Sequence, residues 1–483
     1  MASIKKNFLY SSILTVSNYI FPLVVFPHIS RVLGVTNIGM CNFVDGIINY
    51  FILVSMLGTS IIGIREIAQV KSDSQKTAEV FSTLFVFNAI TTFIALLVLV
   101  ISIYTVPQLY ENKELMLIGV IKVLSNFLLI EWFYTGLEKF KFITNRTIVI
   151  KLLYVLCIFL FVREREDSTI YYFLTTIMIT INALMNCWFA KSFFKINFKK
   201  INFKYFFKPT FVLGIYAVLT SMYVSFNVVF LGFSSDNTEV GYYTTAAKIY
   251  TILLALYTAF TNVMMPRMSF LLGTGNMTEF KKMIGKSQDI LFGFTIPISV
   301  LAVIFAPEII YLIAGKGYEG AIIPLRIIMP LVIIIGYEQI LVLLILTSLK
   351  KDKAIFINSI FGAVVGISLN FLLVPVFKSI GSSLVWFVSE CVVLVSSQYF
   401  VNKFIAVNFP YRKFLVNILW AIPGVVLLLL IKNYFHFHAL ILVFIAGATT
   451  VIYFLIVQLY FIKNEMFLLY FTRLLNFLKL KSN

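Results

Sequence analysis

The chain has 483 residues, of which 60% are hydrophobic and 12% are charged, and its mean hydropathy is +0.96. A soluble protein cannot bury so much apolar surface, and apolar segments of about 20 residues recur along the sequence, which predicts a polytopic all-α membrane protein. The net charge of +18 does not indicate nucleic-acid binding, because the Lys and Arg residues lie in short loops between the apolar segments.

The apolar segments begin directly after the N-terminal stretch 1–6 and predict about 14 transmembrane helices between residues 10 and 462. Two of the boundaries between predicted spans fall at 33–43 and 376–379. The first segment is too long for the core of a signal peptide and carries no small-residue cleavage site, so we expect it to be retained. Lys and Arg lie on one side of this topology in a ratio of about four to one, which predicts that both termini are cytoplasmic.

The loops are all short. None is long enough to fold as a catalytic domain, which argues against a membrane glycosyltransferase, ligase or polymerase and predicts a protein that is not an enzyme. The four cysteines are scattered without a CxxC pair, so we expect neither a disulfide framework nor a metal site, and no cofactor. The residues 191–208 interleave Lys with Phe and are predicted to lie on the anionic inner leaflet. One polar helical face near the C-terminus predicts an interfacial helix, with Glu465, Thr472, Arg473, Asn476 and Lys479 on that face.

A short internal repeat divides the chain. The motif Thr36-Asn-Ile-Gly39 returns as Thr238-Glu-Val-Gly241, and Arg65 has its counterpart in Arg267 at the same spacing. Both copies enter the membrane from the same side, which indicates a parallel repeat with a pseudo-twofold axis along the membrane normal. We therefore predict an N-terminal six-helix bundle at 1–190, a basic cytoplasmic linker at 191–208, a C-terminal six-helix bundle at 209–402, and two extra helices with an interfacial tail at 403–483.

The two matched segments share a polar stripe, in which polar residues recur at helical spacing on one narrow face. The stripe comprises Asn42, Asp45, Asn49, Thr244, Lys248, Thr251, Thr258 and Asn262. A charge at bilayer depth is costly unless it meets water or a partner, so we expect this face to line a water-filled cavity between the two halves. For the Asn and Thr residues, hydrogen bonding between packed helices would explain the pattern equally well.

Four basic residues lie in the outer half of predicted spans, namely Arg31, Lys122, Lys248 and Arg326. Several Lys or Arg side chains together suit an anionic cargo such as a pyrophosphate, which accepts several charge-assisted hydrogen bonds. For Arg31 and Arg326, snorkelling to the membrane interface is an equally good explanation. Lys122 and Lys248 lie deeper, and we expect them to contact the cargo.

Three further acids lie within predicted spans, namely Glu131, Glu338 and Glu390. Such acids either pair with buried lysines or bind a coupling ion. We favour pairing with the lysines, and we keep Asp45, Glu338 and Glu390 as candidates for coupling to H⁺ or Na⁺.

Five stretches of the sequence resemble a known family. They are NYIFPLVVFPHISRVLG at 18–34, TNIGMCNFVDGIINYF at 36–51, GIREIA at 63–68, EWFYTGLEKFKFITNR at 131–146 and LGFSSDNTEVGYYTTAAKI at 231–249. With them the chain resembles the Wzx-type oligosaccharide flippases, which move O-antigen and capsule repeat units and belong to the multidrug/oligosaccharidyl-lipid/polysaccharide exporter superfamily. The resemblance covers roughly residues 5–400.

The resemblance implies two six-helix bundles that work by alternating access in the bacterial cytoplasmic membrane. The implied cargo is an undecaprenyl-pyrophosphate-linked oligosaccharide repeat unit, bound in a cationic cavity by Lys122, Lys248, Arg326 and Arg31. The partners would be this lipid-linked oligosaccharide, membrane lipids and a coupling ion, with a polysaccharide polymerase and glycosyltransferases in the same pathway. Alternatives are a cation-coupled multidrug exporter of the same fold, a lipid II flippase, and a membrane enzyme of cell-envelope synthesis.

Overall fold

The computed structural model describes residues 4–190, 203–435, 437–465 and 467–468. Within these residues every regular element is a helix, and there is no β-strand. Within them, ten helices are long and apolar enough to cross a membrane, or eleven if the bent pair Asn237–Ala255 and Tyr257–Gly273 forms one span. The all-α membrane fold is confirmed, whereas the count of 14 is not. Most of the predicted linker, at 191–202, and the predicted interfacial face at 472–479 lie outside the described residues.

Two helices are much longer than one crossing requires. Helix α1 (Ile4–Met56) has 53 residues and α16 (Asp352–Ile405) has 54, whereas about 20 residues cross the hydrocarbon. Each contains one residue of non-helical backbone, which is Gly34 with φ 75° in α1 and Lys378 with φ 50° in α16. Both breaks lie at or beside the predicted boundaries between spans. Gly34 adopts its positive φ without strain, because glycine has no Cβ.

The chain forms two compact units, Met1–Gly241 and Tyr242–Asn483. In the first unit, α5 packs against α8 and α1, and α1 also packs against α7 and α3. After α1 the helices are α2 (Thr59–Val70), α3 (Ser74–Thr105), α4 (Pro107–Glu111), α5 (Lys113–Leu129), α6 (Glu131–Gly136), α7 (Phe140–Phe161), α8 (Ser168–Ala190), α9 (Phe203–Val224), α10 (Phe226–Ser234) and the first residues of α11 (Asn237–Gly273). The bundle boundaries at 190, 208 and 402 stay a prediction.

An aromatic core lies at one end of the first unit. The Phe81 ring centroid is 4.9 Å from that of Phe133 and 5.5 Å from that of Trp132, and all three rings are buried. Farther along α3, Phe93 and Ile101 are 62% and 60% exposed. A helix that is apolar on its outward face as well is typical of a membrane span, because lipid takes the place of water there.

Helix α3 begins at a capped N-terminus outside the membrane-spanning part. The Asp73 carboxylate accepts the backbone amides of Gln75 at 3.0 Å and Lys76 at 3.1 Å, which satisfies two donors of the first turn. The Lys76 amide, followed by the Gln75 amide and the Lys76 ammonium, holds the pKa of Asp73 below its usual value.

The second unit packs around α12, which contacts α15 and α17, while α16 contacts α14 and α15. Ion pairs fix both ends of α17, because Lys413 lies 2.8 Å from Asp289 on α12 and Lys432 lies 3.0 Å from Glu308 on α13. After α11 the helices are α12 (Met277–Ile304), α13 (Ala306–Ile313), α14 (Ile322–Ile328), α15 (Leu331–Gln339), α16, α17 (Tyr411–Tyr434) and α18 (Ala439–Ile456), with π-helical turns at Ile340–Leu346 and Val457–Phe461.

Candidate functional site

A charged cluster lies among three helices of the first unit. The Lys122 ammonium on α5 contacts the Asp45 carboxylate on α1. Tyr172 on α8 donates to Asp45 Oδ1 at 3.3 Å, and Asn49, one turn further along α1, donates to Asp45 Oδ2 at 3.2 Å. The Lys122 side chain is 11% exposed and that of Asp45 is 34% exposed. Both carboxylate oxygens accept hydrogen bonds, so each charge has the partner that burial among apolar helices requires.

The sequence indicates Lys122 and Asp45 separately, as a cargo-binding cation and as an acid of the polar stripe. Their contact joins residues 77 positions apart, and the sequence does not predict it. Tyr172, whose ring lies 6.0 Å below the Lys122 ammonium, was not among the candidate residues. The sequence does not mark Tyr172 as functional, because a tyrosine within an apolar span is common and carries no charge.

The remaining candidates of the first unit lie on the same helix as Asp45. Arg31 is exposed, and its guanidinium donates to the Pro27 carbonyl at 2.7 Å. Asn42 is partly buried and Asn49 is exposed. These environments fit a stripe that is only partly covered by neighbouring helices, and a role for these residues in cargo binding stays a prediction.

A second charged group in the first unit lies beside Ile130, the residue that separates α5 from α6. Arg146 on α7 contacts the Asn186 side-chain oxygen and donates to Glu131 at 2.8 Å, and its side chain is only 2% exposed. Asn186 in turn donates to the Leu129 carbonyl, next to Ile130, which has a φ of 38°. The partner of Glu131 is thus an arginine rather than one of the lysines that we expected. Nothing in the sequence marks Arg146 as buried, because it closely follows the basic residues Lys139 and Lys141.

Two acids meet in the second unit. Glu338 on α15 and Glu390 on α16 form a side-chain hydrogen bond with each other, and Trp386 donates its indole N–H to Glu390 at 3.0 Å. Glu390 is 3% exposed, and the Tyr250 ring packs edge-on against Trp386 at 5.0 Å. A hydrogen bond between two carboxyl groups needs a proton on one of them. The two acids therefore pair with each other, not with a lysine as expected.

The polar stripe of the second unit lies along α11 in mixed environments. Thr251 donates to the Ala247 carbonyl of its own helix at 2.8 Å, whereas Thr258 accepts a hydrogen bond from Gln339 on α15 at 3.0 Å. Of the two explanations for the stripe, Thr258 thus shows hydrogen bonding between packed helices. The other members range from buried to exposed: Thr244 is buried, Lys248 is partly buried, and Thr251 and Asn262 are exposed. Arg326 on α14 is exposed as well, and it donates to the Val303 carbonyl at 3.2 Å.

The two copies of the repeated motif contact each other within the first unit. The hydroxyls of the equivalent residues Thr36 and Thr238 are 2.9 Å apart. A Cβ on Gly39 would lie 1.6 Å from the Asn237 carbonyl oxygen, and a Cβ on Gly241 would lie 2.3 Å from the Val35 carbonyl oxygen. The contacts are reciprocal, as a local twofold relation between the two motif copies produces. Only glycine permits this approach of backbone to backbone.

The described residues contain no group of three or more His, Cys, Asp or Glu side chains that could hold a metal ion. The charged clusters consist of carboxylates with Lys, Arg, Tyr, Asn and Trp donors, which suit ion pairing and proton exchange.

Two family models and two relatives match the sequence. The model described as Polysaccharide biosynthesis protein matches residues 4–272, and the model described as MatE matches residues 212–372. A relative in Escherichia coli (strain K12), described as "Putative O-antigen transporter", is 25% identical over 404 residues, which are 83% of this chain and 97% of the relative. A relative of the same description in Shigella dysenteriae is 24% identical over 375 residues, which are 77% of this chain and 93% of that relative.

Solved structures share the fold. The structure titled "Lipid II flippase MurJ, inward closed conformation" has a TM-score of 0.76 at 17% identity and covers 93% of this chain and 99% of its own. An outward-facing multidrug resistance MATE family transporter of the MOP superfamily has a TM-score of 0.57 at 14% identity and covers 82% and 93%. At these identities the likeness is one of fold. Because the first family model spans more than half of the sequence, the chain belongs to the polysaccharide biosynthesis protein family.

Proposed function

We propose that this protein is a flippase that translocates undecaprenyl-pyrophosphate-linked oligosaccharide repeat units across the bacterial cytoplasmic membrane by alternating access. Membership of the polysaccharide biosynthesis protein family supports the pathway, and the descriptions of the two relatives as O-antigen transporters support the cargo class. The proposed activity is transport and not catalysis.

The observation that carries the proposal is the contact of Lys122 with Asp45. A charged headgroup cannot cross about 30 Å of hydrocarbon unaided, so a flippase needs cations at bilayer depth that can accept it. Lys122 is such a cation, kept among apolar helices by its carboxylate partner. The pyrophosphate of the cargo takes the place of Asp45 on the Lys122 ammonium, because it offers more negative charge and more acceptor oxygens than a carboxylate.

The same pair gives a route for ion coupling. A proton on Asp45 removes the charge that holds Lys122, while the Tyr172 and Asn49 donors remain as neutral partners of the carboxyl group. Protonation thus releases the lysine for the cargo. A sodium ion on the carboxylate has a similar effect, so transport measured against pH at constant sodium distinguishes the two ions.

Further cations are proposed to bind the headgroup, namely Arg31, Lys248 and Arg326. The polar side chains of the stripe, such as Asn42 and Asn49, would bind the sugar hydroxyls. A pyrophosphate accepts hydrogen bonds from several cations at once, which is why single substitutions should weaken transport to different degrees.

The hydrogen-bonded pair Glu338 and Glu390 is a second candidate for coupling. The pair holds a proton between two carboxyl groups, and Glu390, which accepts a hydrogen bond from Trp386, is buried. Loss of that proton leaves two negative charges side by side, which is costly in an apolar environment. The proton state of this pair would therefore bias the conformation of α15 relative to α16.

Two alternatives have specific support. The MATE-like fold supports a cation-coupled multidrug exporter, and the MurJ-like fold supports a lipid II flippase. A drug exporter would bind cationic drugs through acids, whereas the candidate headgroup residues here include four basic side chains. A lipid II flippase differs only in the sugars and peptide on the cargo, so direct comparison of the two cargoes decides between them.

The proposed topology has both termini in the cytoplasm, with the basic linker 191–208 on the inner leaflet. The polymerase and glycosyltransferases of the pathway would then act on the outer and inner side of the membrane, respectively. Tagging of both termini and protease treatment of inverted vesicles tests this orientation.

The decisive experiment replaces Lys122 by glutamine in a strain that depends on this protein for surface polysaccharide. We expect the surface polysaccharide to fall by about tenfold to hundredfold, because the loss of one charge-assisted hydrogen bond has an effect of this size. The amount of protein in the membrane should stay the same. Lys113→Gln is the matched control, since this lysine is exposed at the start of the same helix. Normal display in Lys122→Gln would contradict the proposal.

A second variant excludes a merely structural explanation. Lys122→Gln leaves Asp45 without its cation, so the loss of display could come from the stranded carboxylate alone. The double variant Asp45→Asn/Lys122→Gln removes both charges. If it restored display, the lysine would serve only to neutralise the acid, and its assignment to the cargo would be wrong.

A further inference from the structure

A groove with a basic end and apolar walls lies on the surface of the first unit, apart from the Asp45 cluster. Its volume is about 670 Å³, which is in the usual range of ligand pockets. It is formed by α7 and α8, which pack against each other. Lys139 and Lys141 lie at one end, and Val149, Leu153, Ile181 and Met185 line the rest.

The side chains change from polar to apolar along one face of α7. Lys141, Asn145, Val149 and Leu153 follow one another at intervals of four residues, which places them in one row on the helix surface. From Lys141 to Leu153 this row is about 18 Å long, since each residue of an α-helix rises by 1.5 Å. One leaflet of the hydrocarbon core is about 15 Å thick. The groove therefore matches a headgroup followed by one acyl chain.

The walls of the groove are open to the surroundings. Val149 is 56% exposed, Leu153 is 48% exposed and Met185 is 41% exposed. Lipid that covers this aliphatic surface is favoured, because contact of apolar surface with water is unfavourable. A pocket for a polar ligand would not continue into such a row of aliphatic side chains.

The charges at the basic end select the headgroup. The acid at this end, Glu138, is paired with Lys71 at 2.7 Å, and Arg146 on the groove wall is bonded to Glu131. Lys139 and Lys141 are both exposed, and Asn145 adds an exposed amide donor. In the proposed topology these lysines lie on the cytoplasmic side, where the leaflet carries anionic lipids. The geometry points to a binding site for an anionic phospholipid of the inner leaflet, with the phosphate at Lys139 and Lys141 and one acyl chain between α7 and α8.

The test measures lipid retention by the full-length protein purified in detergent. Phosphatidylglycerol and phosphatidylcholine with identical acyl chains are titrated separately, and bound lipid is counted by native mass spectrometry. The wild type should retain phosphatidylglycerol more tightly. Lys139→Gln/Lys141→Gln should weaken this retention by about 25-fold, since each lysine near an anionic surface contributes about fivefold. Lys281→Gln/Lys282→Gln, which removes two exposed lysines from α12, is the matched control and should bind as the wild type does.

A variant of the apolar wall tests the groove independently of charge. Leu153→Trp fills the groove and keeps both lysines, and it should lose the same bound lipid. Equal retention of the two lipids by the wild type, retention unchanged in Leu153→Trp, or equal losses in the two lysine pairs would overturn the proposal. Displacement of the lipid by inorganic phosphate would indicate a free anion site instead and would also overturn it. Transport is not measured here, so failure of this site leaves the proposed flippase activity untouched.

Discussion

Alanine at Gly39 should destabilise the protein although alanine is the better helix former. The new Cβ would lie 1.6 Å from the Asn237 carbonyl oxygen, about 1.8 Å closer than an ordinary contact of 3.4 Å. That oxygen belongs to the backbone, so a helix must move. Overpacking of this kind lowers the free energy of unfolding by about 3 kcal/mol. The higher helix propensity of alanine raises it by about 1 kcal/mol. The net loss is about 2 kcal/mol, which lowers Tm by roughly 4 °C at about 2 °C per kcal/mol.

Thermal unfolding of the purified protein in detergent measures this loss. The matched control is Gly447→Ala in α18, where a Cβ would meet nothing within 4 Å, and it should leave Tm unchanged or raise it. Gly241→Ala should resemble Gly39→Ala, because a Cβ there would lie 2.3 Å from the Val35 carbonyl oxygen. A Tm for Gly39→Ala equal to that of Gly447→Ala would refute the close contact of the two motif copies.

Three further substitutions follow from the charged groups. Arg146→Met should cost about 1–3 kcal/mol, because it leaves the buried side-chain oxygen of Asn186 without its donor, and the yield of folded protein in detergent should fall; a normal yield would contradict the network. Asp73→Ala should lower Tm at neutral pH but not at low pH: the lowered pKa of Asp73 means that its stabilisation is present above its unfolded value of 3.8 and is lost as the pH falls through the folded value. Glu390→Gln should leave the protein folded, since an amide still bonds to Glu338, but should flatten the dependence of transport on pH; an unchanged profile would exclude this pair from coupling.

Much of the fold follows from the sequence because hydropathy and the repeat are local patterns. Apolar segments predict helices, and the recurrence of Thr36-Asn-Ile-Gly39 identifies two equivalent positions that the structure brings into contact. The number of spans does not follow as surely. Helices α1 and α16 each continue past a predicted boundary with one non-helical residue, Gly34 and Lys378, so each is one long helix where the sequence predicts two spans.

The partners of the charged residues could not be predicted. A single sequence gives the depth of a residue in a span and its face on the helix, but not which helix packs against that face. Lys122 and Asp45 are 77 residues apart, and Arg146 and Asn186 are 40 apart. Arg146 closely follows Lys139 and Lys141, and the positive-inside rule groups such residues in a cytoplasmic loop, whereas the Arg146 side chain is buried and contacts Asn186.

The most direct measurement of the proposed flippase activity uses proteoliposomes that contain the purified protein and a fluorescent undecaprenyl-pyrophosphate-linked oligosaccharide. Wild-type protein should move the labelled headgroup between leaflets, and Lys122→Gln should do so at least about tenfold more slowly. A wild-type rate no faster than that of protein-free vesicles would contradict the proposed flippase activity, and equal rates for the two proteins would contradict the role of Lys122.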